Sequence, residues 1–160
     1  MKRLALAAVM ILAFGVAGCG SKNPNNPSDI TIFTVQLSAL NEVPAVTNAE
    51  ATARGTAVIT IDKAKNTIDF NVSLNSFPAG SAVNVAHIHA AAAGSNAPVL
   101  IGTGLTAGNV TLTNGAGTFS FQQVSTSAAN IAQILGNPAG HYFNVHTTQN
   151  PGGAIRGQLQ

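Results

Sequence analysis

The chain is poor in cysteine, in tryptophan and in charge: 160 residues hold one Cys, no Trp, 7 Lys and Arg, and 5 Asp and Glu. A single cysteine closes no internal disulfide and supplies no ligand pair for a zinc finger, so neither scaffold can hold the fold. The small excess of positive charge comes from Lys2 and Arg3. Without residues 1–18 the remainder carries five of each sign: Lys22, Arg54, Lys63, Lys65 and Arg156 against Asp29, Glu42, Glu50, Asp62 and Asp69. A neutral chain this sparsely charged has no electrostatic footprint for nucleic acid. Gly-x-Ser-x-Gly does not occur, so a nucleophile elbow with a Ser-His-Asp triad is unsupported. Gly102-Thr103-Gly104 does not continue into a dinucleotide fingerprint, and there is no Walker A loop. No fixed-period repeat points to a propeller or solenoid. What remains is long enough to close one ordinary core without staples.

Lys2-Arg3 is followed by Leu4 to Val16, thirteen residues that are all apolar or small. A basic start and an apolar run of this length read as a secretory leader, too short for a mature membrane span. It ends in Val16-Ala17-Gly18-Cys19, which resembles the bacterial lipobox. The resemblance implies cleavage before Cys19, with a thioether-linked diacylglycerol and an amide-linked acyl chain of the palmitate type on that cysteine. Two or more chains anchor a protein stably to a membrane. Glycine rather than aspartate at position 20 points to the outer membrane, on its periplasmic or surface face, in a cell that has one. Ser21 to Asp29 offers nothing to bury beyond two prolines. The expected organisation is a lipoprotein signal peptide at 1–18, a lipidated flexible tether at 19–29 and one β-domain at 30–160.

From Ile30 onward the pattern is β. Thr67 to Leu74 alternates cleanly, with Ile68, Phe70, Val72 and Leu74 on one face and polar residues on the other. Thr56–Ile61 precedes it across the turn Asp62–Asn66, a hairpin signature. A second hairpin is expected from Asn109–Thr113 and Thr118–Phe121 around Asn114-Gly115. Further strands are expected at Ile30–Leu37, Val83–Ala90, Pro98–Ile101, His141–Thr147 and Ala154–Leu159. Ala128, Ile131, Ala132 and Leu135 follow helical spacing, stopped by Gly136 and Pro138. The fold class is therefore all-β: an antiparallel β-sandwich or flattened barrel of about eight or nine strands with one short helix.

All four histidines fall in two places: His87-Ile88-His89, and His141 with His146. Spacing of two on a strand puts His87 and His89 on one face. Tyr142, Asn144 and His146 share a face of the other strand, with His141, Phe143 and Val145 opposite. The candidate constellation is His87, His89 and His146, meeting at a common point inside the sandwich, and His141 is left out. Imidazole suits copper, zinc, iron and nickel. The same residues could equally organise a hydrogen-bonded polar pocket without metal. With charges so scarce, Arg156 among small and apolar neighbours calls for a partner, and Glu42 is the natural one for an ion pair or pocket.

Four segments, in order, resemble the marker segments of the chordin-type (CHRD) domain family: Asn41-Glu42-Val43-Pro44, Ala86-His87-Ile88-His89, Tyr142-Phe143-Asn144-Val145-His146-Thr147 and Pro151-Gly152-Gly153-Ala154-Ile155-Arg156-Gly157-Gln158-Leu159. The resemblance spans Ile30 to Gln160. It implies an all-β extracellular module, of a family for which no general enzymatic activity is established. Ala154 stands where that family usually has an acidic residue, which removes one partner for Arg156. His-x-His with a later Val-His also looks like the copper-ligand order of copper,zinc superoxide dismutases, although a fourth copper histidine, the zinc ligands and the disulfide are missing. The expected function is a lipid-anchored cell-envelope module, non-catalytic, held to the membrane through Cys19 and binding a protein or glycan. The alternative is a histidine-based metal protein of the copper type, with a redox role open to it.

Overall fold

The computed structural model describes residues 29–160. The expected signal peptide, Cys19 and the tether up to Ser28 lie outside the described residues. Eight strands form one antiparallel sheet: β1 Ile30–Ser38, β2 Arg54–Asp62, β3 Thr67–Asn75, β4 Val83–His89, β5 Val99–Gly102, β6 Gly117–Ser125, β7 Tyr142–Thr147 and β8 Ile155–Gln158. Their order is β5-β4-β7-β8-β1-β2-β3-β6, and the sheet curls into a half-barrel. Both strand alternation and turn chemistry explain this. On β2 and β3, Ala57, Ile59 and Ile61 face the interior with Ile68, Phe70, Val72 and Leu74, while Thr56, Thr60, Asp69 and Asn71 face out. The turn between them is held by Asp62 Oδ1, which accepts from the Lys65 backbone N–H at 3.0 Å. Phe70 and Phe143 stack across the interior at 5.7 Å, joining the two halves of the curl.

The expected second hairpin does not form. Asn114 and Gly115 adopt the left-handed conformation, with φ of 52° and 75°, but only the single bridge Thr113–Ala116 closes around them. Leu105 and Val110 are instead buried against the core from irregular chain, and β6 takes β3 as its partner. Burial of Val110 in the core is favoured over leaving it on an unpaired sheet edge. One helix, α1 (Ala128–Gly136), follows β6; the Ser127 hydroxyl caps it by accepting from the Asn130 N–H at 3.1 Å. It buries Ile131 and Ile134 and leaves Ala128 and Ala132 exposed, a rotation from the expected stripe toward the two larger side chains. Among the described residues no helix is long and apolar enough to cross a membrane.

Register places the functional residues. Ser38 of β1 lies opposite Arg156 of β8, Arg156 opposite Asn144 of β7, and Asn144 opposite His87 of β4. This lateral row sits at the far end of β1 from Ile30, eight residues or roughly 27 Å away at the usual rise along a strand.

Candidate metal centre

His87 and His89 project from one face of β4, and His146 from the adjoining face of β7, because Val85 pairs His146 and His87 pairs Asn144 across the two strands. One ring nitrogen from each imidazole lies within 4.8 Å of the other two. His87 Nδ1 is 3.2 Å from His146 Nε2. The cluster is not inside the apolar interior, as the sequence led one to expect. Ala86, Ile88, Phe143 and Val145 take that face, and the histidines occupy the opposite one. Loops cover them there, so that every residue of β7 is buried on both faces. His89 and His146 are buried and His87 is half-buried, leaving His87 as the member nearest solvent. His141 stands apart: it is buried on the core side, its Nδ1 2.9 Å from the Asn137 carbonyl oxygen.

The loops also set the proton positions. His89 Nδ1 lies 2.9 Å from the Ala97 carbonyl oxygen, and His146 Nδ1 2.9 Å from the Pro151 carbonyl oxygen. A carbonyl only accepts, so each Nδ1 carries a proton and donates, and each Nε2 is the ring nitrogen turned toward the cluster. Burial, followed by the neighbouring His146 and His89, pushes His87 down to about 4. Burial also lowers His146, against the Pro151 hydrogen bond that favours its charged form. Near neutral pH His87 and His146 are therefore uncharged and available as ligands.

A second layer holds the loops in place. Arg156, only 2% exposed, donates from Nε to the Asn41 carbonyl at 2.6 Å and from Nη1 to Asn96 Oδ1 at 2.9 Å and the Ser95 carbonyl at 3.2 Å. Its guanidinium lies 4.5 Å over the Tyr142 ring, and Tyr142 stacks on His89 at 4.7 Å. Arginine, tyrosine and histidine thus form a continuous pile whose far end is a cluster imidazole. Glu42 adjoins Arg156, but at 3.9 Å the ion pair is loose, and Glu42 Oε1 is buried without a partner. Burial drives Glu42 up to about 7, outweighing Arg156 and the Asn144 amide, which both favour its ionised form. Gly153, at φ 136°, packs where a Cβ would strike the Glu42 carboxyl at 2.6 Å, which accounts for glycine at that point of the loop. Glu50 was no more than one count in the charge balance of the sequence, yet it is fully buried. Its Oε2 accepts from the Thr147 hydroxyl and the Asn150 amide, each at 2.6 Å, clamping the loop that carries Pro151.

These groups set a pH dependence with two opposing arms. Native His87 declines a proton that the unfolded chain accepts, so its contribution is lost as pH falls from 6.5 toward 4. Native Glu42 keeps a proton that the unfolded chain gives up, so its burial destabilises increasingly as pH rises from 4.5 through about 7. The arms offset each other between 4.5 and 6.5. In metal-free protein, Glu42→Gln is expected to remove the second arm, worth up to roughly 3 kcal/mol above pH 7. Urea unfolding across pH 4–8 should then show stability rising with pH where the wild-type profile is flat, and parallel profiles would contradict this.

The sequence missed Asn144 as a site residue, although alternation had placed it on the same face as His146. Its Oδ1 lies 3.0 Å from Nε2 of both His89 and His146. What was missing was the register of β7 against β4, which brings that face over His87. No curated protein and no solved structure matches the chain. The family model for the CHRD domain matches residues 33–159, which takes in β1 from Phe33, all of β2 to β8 and every residue of the cluster. The chain belongs to the CHRD domain family.

Proposed function

We propose that this CHRD domain is a binding module whose ligand is a transition-metal ion of the zinc(II) or copper(II) class, held by His87, His89 and His146. The observation that carries this reading is the convergence of three ring nitrogens within 4.8 Å, with the Nδ1 atoms of His89 and His146 turned away to backbone carbonyls. Without an ion, His87 Nδ1–H donates to His146 Nε2 at 3.2 Å, and a bound cation would take the place of that proton. Imidazole donors without thiolate suit zinc and copper(II). Family membership supports a binding or structural module and gives no support for catalysis.

The lipobox-like segment ending at Cys19 supports a lipid-anchored protein of the cell envelope, displayed from the outer membrane where one exists. In that setting the ion site lies at the end of the domain away from Ile30, where the tether joins, and faces whatever the envelope brings to it. A protein or glycan partner at that end is compatible with the same module. Calorimetric titration of the tag-free protein with zinc(II) is expected to show one equivalent bound at pH 7, with affinity falling as pH drops toward 4. A flat titration with both zinc(II) and copper(II) overturns the reading.

A further inference from the structure

We infer that Asn144 is a fourth ligand, making the site an N₃O set that takes divalent ions in preference to copper(I). The inference rests on the metal reading above and extends it to a residue type that neither the histidine pattern nor the family assigns. Asn144 Oδ1 is 3.0 Å from His89 Nε2 and 3.0 Å from His146 Nε2. Both rings donate from Nδ1 on the opposite side, to the Ala97 and Pro151 carbonyls. An amide oxygen also has lone pairs and no proton. With both rings neutral, three acceptors surround one point; His87 Nδ1–H, 3.2 Å from His146 Nε2, satisfies one of them, and a cation is the group that satisfies all of them together. In this orientation it is the amide oxygen, Oδ1, that lies 3.0 Å from both imidazole nitrogens.

Asn144 is also well fixed. It is 1% exposed, sits mid-strand, and pairs with His87 on one side and Arg156 on the other. A ligand oxygen on a central strand needs little reorganisation to bind. A neutral oxygen donor with three imidazoles suits zinc(II) and copper(II), whereas copper(I) selects soft thiolate or thioether ligands.

The test compares Asn144→Asp with Asn144→Leu in the full tag-free chain, titrated with zinc(II). A carboxylate restores the ligand oxygen, so Asn144→Asp should bind as tightly as wild type or tighter. Asn144→Leu should lose at least about tenfold, since even an outer-shell substitution has that effect. With cobalt(II) as probe, the visible spectrum of Asn144→Leu should change shape. If Asn144 is instead turned the other way and donates N–H to the imidazoles, both variants weaken together, which overturns the inference. Zinc binding by Asn144→Leu equal to wild type overturns it as well. Should the leucine variant not fold, the wild type decides: the Asn144 side-chain carbonyl carbon is expected to shift on adding one equivalent of zinc(II), and an unmoved signal is the contrary result. Zinc retained in full by His87→Ala/His89→Ala would be a different failure, that of the histidine site itself.

Discussion

Replacing His87 and His89 together by alanine is expected to lower zinc(II) affinity by more than roughly a thousandfold, because loss of a mere outer-shell partner already removes about 10–100-fold. Only His146 would be left of the three imidazoles that meet within 4.8 Å. The effect has a second readout in stability. Zinc(II) at a thousand times its dissociation constant should stabilise the wild type by about 4 kcal/mol, and the double variant by close to nothing. Folding does not confound the comparison when the single variant His87→Ala is included. His87 is half-buried, and its Nδ1 contact at 3.2 Å is to another cluster histidine rather than to a scaffold group. Truncating it should change metal-free stability by less than about 1 kcal/mol while still weakening metal binding. Undiminished zinc stabilisation in both variants would place the ion elsewhere.

Arg156→Ala should destabilise the fold by about 4 kcal/mol, a large share of the usual margin of a domain this size. The side chain is fully enclosed and ties β8 to the Asn41 carbonyl, the Ser95 carbonyl and Asn96 Oδ1. Alanine would leave those acceptors without a donor, open a cavity under Tyr142, and strip Glu42 of the cation beside it. Lysine is the informative contrast. It keeps a charge but lacks the planar fork that reaches two loops at once. Arg156→Lys is expected to fold with an intermediate loss in urea unfolding and to bind zinc(II) more weakly. The cause is local: the loop held by Arg156 at Ser95 and Asn96 is the loop whose Ala97 carbonyl sets the His89 proton. A lysine variant with wild-type stability and wild-type affinity would remove Arg156 from this role.

Much of this arrangement is written in short-range pattern. Alternation alone puts His87 with His89 and Tyr142 with Asn144 and His146, and those side chains do share faces in the structure. The β2–β3 hairpin and α1 were legible for the same reason, since period and turn chemistry are local properties. Two kinds of fact were not. One is register between strands more than fifty residues apart, which decides that His146 lies over His87 rather than a strand's width away. The other is the contribution of backbone from loops. The Ala97 and Pro151 carbonyls, and the Asn41 and Ser95 carbonyls that accept from Arg156, carry no side-chain signature. For the same reason the charge count suggested Glu42 as the partner of Arg156, while the closer contacts go to carbonyls and an asparagine. Burial of the histidines under loops rather than in the core follows too. The core face of β4 was already filled by Ala86 and Ile88, and the outer face becomes enclosed only through loops that alternation cannot place.

Three imidazoles act as one donor set, and a fourth histidine close by in sequence is excluded from it. Ring-nitrogen magnetic resonance of the tag-free protein during a one-equivalent zinc(II) titration reads this directly. His87 should change at Nδ1, and His89 and His146 at Nε2, all in proportion to the same added ion. His141, bonded to the Asn137 carbonyl on the other face, should stay where it was. Four histidines that move together, or none that move, would contradict it.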